Sequence, residues 1–134
     1  MEVRINMGGV MARDERINSL VKDIRNELRI LGAVTARGLA LLTSDGVTLY
    51  SDMSPELQER LNVFIPGFPA LGVGSNITVN IGERALIIMR VSEKAVLAVF
   101  TDQRVGVVLA RMSALINKFG EELDRLVETS EGGS

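Results

Sequence analysis

ALIIMRV at residues 85–91 and AVLAVFT at 95–101, joined by Ser92-Glu93-Lys94, are strand-like runs that are apolar at odd and even positions alike. A strand with one face in water alternates apolar and polar side chains. These two do not, so both of their faces must be covered. The rest of the chain must supply two covering layers.

Immediately upstream, residues 77–81 alternate cleanly, with Ile77, Val79 and Ile81 on one face and Thr78 and Asn80 on the other, and Gly82-Glu83 turns the chain into the apolar pair. Downstream of Asp102, a plausible cap, Val105, Val108, Leu109, Met112, Leu115, Ile116, Phe119, Leu123 and Leu126 recur at helical spacing over about six turns. Ile17, Leu20, Val21, Ile24, Leu28 and Leu31 do the same from Asp14 onward, with Gly32 as a stop. Residues 35–43 read as a strand, Ser44-Asp45-Gly46 as a hairpin turn in which Gly takes positive φ, and 47–51 as the returning strand. Ser54-Pro55-Glu56 is a helix start: the Ser hydroxyl caps a free N–H, Pro sits where no N–H is missed, and Glu faces the positive helix end. The stripe that follows, Leu57, Leu61, Phe64 and Ile65, is interrupted by Pro66 and Pro69, and a bent, glycine-rich connection leads on to residue 77.

The expected fold class is therefore α+β, in the order helix, two strands, helix, three strands, helix, with a five-stranded antiparallel sheet. Residues 1–12, with three methionines around Gly8-Gly9, read as a flexible arm, 13–127 as the domain and 128–134 as a disordered tail. The two long helices are able to cover one sheet face together, whereas the short middle helix leaves much of the other face bare. A second copy could complete that layer. The strand formed by Ile77, Thr78, Val79, Asn80 and Ile81 carries no charge, no proline and no evident bulge, the usual protections of a free edge, and so is the expected dimer edge. The alternative is that the glycine-rich loop or the N-terminal arm covers it.

The composition narrows function by exclusion. The 134 residues include no cysteine and no histidine, which removes disulfides, thiolate nucleophiles, haem and zinc ligation and histidine acid–base catalysis. A formal net charge of −2 offers no basic field for a phosphate backbone, so nucleic acid is not an expected partner. Apolar stretches of about six to ten residues fall short of the roughly 20 needed to span a bilayer, and the start of the sequence shows no secretory leader. The expectation is a cytoplasmic, non-catalytic domain with no membrane partner and no cofactor. Twelve arginines against three lysines hint at a thermophilic or archaeal source.

Other local signals are weak. Gly72-Val73-Gly74 lacks the Lys and the helix start of a phosphate loop and reads as a turn. Asp45 and Asp52 bracket a short strand, but Asp before Gly in a hairpin needs no metal to explain it. Phe64 and Phe68 are read as core rather than as interface anchors.

GLALLTSDGVTLYSD at 38–52, LNVFIPGFPALG at 61–72 and GERALIIMRVSEKAVLAVFTDQRVGVVLARMSALI at 82–116, taken in order and spacing, resemble the roadblock/LC7 family. The resemblance runs from about residue 14 to 126 and includes no catalytic signature; the Pro66 and Pro69 pair departs from the family pattern. It implies a roadblock/profilin-like fold whose sheet extends across a homodimer, or a heterodimer with a related domain. It implies binding, not turnover, with a Ras-like small GTPase or a larger scaffold as partner. It also makes the helix-two surface of Glu56, Glu59, Arg60 and Val63 the candidate partner face, against the plainer reading of a solvated helix flank with Val63 in a dimer core. A small-ligand sensor or a purely structural dimerisation domain is the alternative function.

Overall fold

The two apolar runs are neighbouring strands at the interior of one five-stranded sheet. The computed structural model describes residues 2–29, 38–102 and 104–132, with side chains at 14–28, 38–102 and 104–129. In chain order the elements are α1 (Glu2–Arg29), β1 (Leu39–Thr43), β2 (Thr48–Ser51), α2 (Pro55–Phe64), a 3-10 helix (Ile65–Ala70), β3 (Asn76–Ile81), β4 (Arg84–Arg90), β5 (Ala95–Thr101) and α3 (Val105–Gly132). All strand pairings are antiparallel, in the spatial order β2-β1-β5-β4-β3. The class, the element order and the edge position of β3 agree with the sequence reading. Leu31, Gly32 and the first residues of the predicted 35–43 strand lie outside the described residues.

Both faces of β4 and β5 are covered, as their composition requires. On one face Leu39, Leu41, Ile87, Met89, Leu97 and Val99 meet Ile17, Val21, Ile24 and Leu28 of α1 and Val108, Met112, Leu115, Phe119 and Leu123 of α3. On the other, Ala40, Leu42, Leu86, Ile88, Val96 and Ala98 lie beneath Leu57, Leu61 and Phe68. Each large side chain buried in these layers contributes roughly 1.5–3 kcal/mol relative to exposure, so the layering is the main source of stability.

The second face is less bare than the sequence predicts. Pro66 and Pro69 end the α-helix but do not end the cover: the chain continues as the 3-10 helix and drops Phe68 into the core at 0% exposure. Pro suits a tight turn of this kind because its φ is already near the required value. The β3 row of Ile77, Val79 and Ile81 stays half-exposed on that side, as do Phe100 of β5 and Met53, Phe64, Ile65 and Leu71 around the cover.

Two boundaries also differ. The backbone of residues 2–12, expected as an arm, belongs to α1; Gly8-Gly9 costs about 1 kcal/mol per Gly but no proline breaks the ladder. At the other end the backbone of α3 runs to Gly132, into the stretch read as a tail. Glu128 pairs with Lys94 at 3.5 Å and the Thr129 hydroxyl donates to the Arg125 carbonyl at 2.8 Å, which ties this last stretch to the β4–β5 turn and to its own helix. Among the described residues no helix is long and apolar enough to cross a membrane.

Candidate interaction surfaces

The two edges of the sheet are unequal. β2 is four residues long and its pairing with β1 is interrupted by a bulge between Leu41 and Leu42, both of which blunt an edge. β3 pairs with β4 over six unbroken positions, Asn76 with Met89 through Ile81 with Arg84, and among the described residues no strand pairs with its other side. Arg90 N–H donates to the Ser75 carbonyl at 3.2 Å, and antiparallel bonding alternates from there. Ile77, Val79 and Ile81 accordingly spend their backbone groups on β4, while Asn76, Thr78 and Asn80 turn theirs to the open edge. Thr78 and Asn80 are exposed, and Ile77, Val79 and Ile81 are half-buried.

The α2 residues named from the sequence also come together. The Ser54 hydroxyl accepts from Leu57 N–H at 3.3 Å and Pro55 starts the helix, as the Ser-Pro-Glu signal predicts. Gln58 on one flank accepts from the Ser51 hydroxyl at 2.7 Å, which fixes that flank toward β2. By helical rotation Glu56, Arg60 and Val63 lie on the opposite flank, and with Glu59 they line a shallow open depression of about 410 Å³. Val63 is 74% exposed, the most exposed of the large hydrophobic side chains described. Two carboxylates and one guanidinium thus frame an apolar side chain in water.

A third constellation was not legible in the sequence. Asp52, just past β2, accepts Gly38 N–H at 2.9 Å and Leu39 N–H at 2.8 Å through one oxygen and the Arg25 guanidinium through the other. Arg25 also donates to the Tyr50 hydroxyl at 3.0 Å and lies 5.7 Å from that ring's centre. Burial raises the Asp52 pKa, but the Leu39 N–H, Arg25 and the Gly38 N–H outweigh it and hold the carboxyl below its ordinary value. For Arg25, burial works against the charge, and the bonds to Tyr50 and Asp52 more than offset it. With both oxygens committed, Asp52 is a staple between α1, the start of β1 and the end of β2. Only an Arg at the right turn of a distant helix gives it that role, and no local spacing signals it.

Gly72 to Gly74 make a turn, as expected: Gly74 has φ +89° and its N–H donates to the Arg90 carbonyl at 2.8 Å. The Arg90 side chain donates to the Leu71 carbonyl at 2.8 Å and so holds the loop from the sheet side.

Compared with solved structures, the chain superposes on the gliding protein MglB from Thermus thermophilus with a TM-score of 0.55 at 18% identity, covering 87% of this chain and 92% of that one. A second MglB structure, described as having a tetrameric arrangement, gives 0.57 at 18% identity over 87% of this chain and 91% of that one. MglB is a roadblock/LC7 domain protein. The chain has the roadblock/LC7 fold. A roadblock/LC7 domain from Streptomyces avermitilis, at 16% identity, TM-score 0.49 and coverage of 66% of this chain and 86% of that one, is too distant to add to this. No family model and no curated protein matches the chain. In roadblock terms the unprotected strand is β3 and the exposed flank belongs to α2. At identities this low the likeness is one of fold, and function rests on the surfaces described above.

Proposed function

We propose that this chain is a non-enzymatic, cytoplasmic dimeric platform that binds a Ras-like small GTPase or a larger assembly. The observation that carries the reading is the open β3 edge, six residues of regular ladder with no charge, proline or bulge to discourage a second strand. Two copies pairing antiparallel along it make one ten-stranded sheet. The outward backbone groups belong to Asn76, Thr78 and Asn80, so a two-fold pairing must set even-numbered residues opposite one another. The two registers that meet this condition near the strand's centre set Val79 opposite either Val79 or Ile77 of the second copy. Either way an apolar row continues across the junction and finishes the half-exposed strip of Ile77, Val79 and Ile81.

The α2 flank of Glu56, Glu59, Arg60 and Val63 is the partner face in this proposal. It is exposed, it contains an apolar anchor with charges around it, and the pairing of two copies doubles it. Affinity capture on the full chain, run once with GDP and once with a non-hydrolysable GTP analogue, tests the reading. A GTPase enriched in one nucleotide state, and lost from a Val63→Asp variant, supports it. Equal recovery in both states, or none, removes the GTPase from the proposal.

A further inference from the structure

A groove of about 430 Å³ runs between α1 and α3 on the side of the molecule away from α2, lined by Arg16, Ser19, Leu20, Asp23, Glu122, Arg125 and Leu126. The Glu27–Lys118 ion pair sets the register of the two helices, and the lining residues show that they run antiparallel. One turn from that pair, Asp23 is level with Glu122; Leu20 is then level with Arg125, and Arg16 lies a further turn along α1. The groove therefore has two facing carboxylates at one end and a guanidinium about 10 Å away at the other. Its floor is Leu20 and Leu126, and Ser19, a small side chain, stands midway.

Among the described residues Arg16, Asp23 and Glu122 have no ion-pair partner, whereas Arg125, near the middle, is paired with Glu121 at 3.4 Å. We propose that this groove is a second interface between copies of the chain. A two-fold axis passing between Ser19 and Leu20, perpendicular to the groove, turns it end for end. That rotation brings the carboxylate end of each copy to Arg16 of the other and lets the two α1 helices approach across Ser19. The charges at the two ends are self-complementary about that one axis, while the Arg125 side chains brought together near it are each paired with Glu121, which is why a second copy is the occupant and not an unrelated acidic or basic chain. The interface is independent of the β3 edge, since it uses the opposite face of the sheet and neither reading needs the other.

The test is the mass of the full chain by light scattering and sedimentation equilibrium over a range of concentration and salt. The wild-type mass should rise with concentration above that of the β3-paired species, less so at high salt. Arg16→Glu should raise the dissociation constant of that step by roughly tenfold or more. The triple variant Arg16→Glu, Asp23→Arg, Glu122→Arg, which exchanges the charges of the two ends of the groove and leaves Arg125 in place, should restore it. In a Val79→Lys background the groove alone should still pair two chains, so failure of the β3 reading is seen separately. A wild-type mass independent of concentration, or an Arg16→Glu protein that associates like wild type, overturns the groove interface.

Discussion

The Arg25 guanidinium on α1 donates to the carboxylate of Asp52, 27 residues later, while the other oxygen of that carboxylate takes the backbone N–H groups of Gly38 and Leu39. Three elements meet at this one side chain. Asp52→Asn keeps the shape but loses the charge and sets an amide donor against either Arg25 or the two N–H groups. A loss of about 1–3 kcal/mol is expected, read as a lower midpoint in chemical denaturation. Arg25→Ala should cost less, because the carboxylate keeps both backbone bonds, and the double variant should fall short of the sum.

The same residue sets an acid-side dependence. Its folded pKa lies below the unfolded value of about 3.9, so the stability it contributes is complete above that value and is lost as pH falls through it toward the folded pKa. Unfolding measured from pH 6 down to pH 2 should show a steeper acid decline in wild type than in Asp52→Asn. Parallel curves for the two proteins would dissociate Asp52 from the acid limb.

Phe68 is the test of the 3-10 cover. It is fully buried between α2 and the sheet, and Phe68→Ala should cost about 3–5 kcal/mol. A change below about 1 kcal/mol would mean that the second face does not depend on this segment.

Gly46 closes the β1–β2 turn at φ +95°, and a Cβ there would come within 2.2 Å of Ile65 Cγ2. Gly46→Ala should therefore destabilise by at least about 1 kcal/mol, through backbone strain and through displacement of Ile65. The double variant Gly46→Ala, Ile65→Ala relieves the contact but not the strain, and should show less than the sum of the two single losses.

What the sequence disclosed, and what it hid, follows one physical line. Periodicity and turn chemistry are local, so the strands around Asp45-Gly46, the Ser54-Pro55 helix start and the two-sided burial of β4 and β5 were legible residue by residue. The exposed flank of α2 was legible as well, since Glu56, Arg60 and Val63 share a face by spacing alone. The cover by Phe68 was half-hidden, because Pro66 and Pro69 signal an end to regular helix and say nothing of where the next turn points. The role of Asp52 was fully hidden: its partners come from α1 and β1, and only the tertiary fold brings them to it. The two glycines at 8 and 9 are a local cost that the rest of α1 tolerates, so helical backbone extends over 2–12 where periodicity alone gives no signal.

The mass of the Val79→Lys protein tests the central claim most directly. Val79 sits in the middle of the open edge, and both two-fold registers bring the new ammonium close to apolar groups and to its own symmetry mate. Measured at a concentration too low for the α1–α3 groove to associate, wild type should have the mass of two chains. Val79→Lys, with an unchanged circular dichroism spectrum, should have the mass of one. A Val79→Lys protein that remains a dimer under the same conditions contradicts pairing through β3.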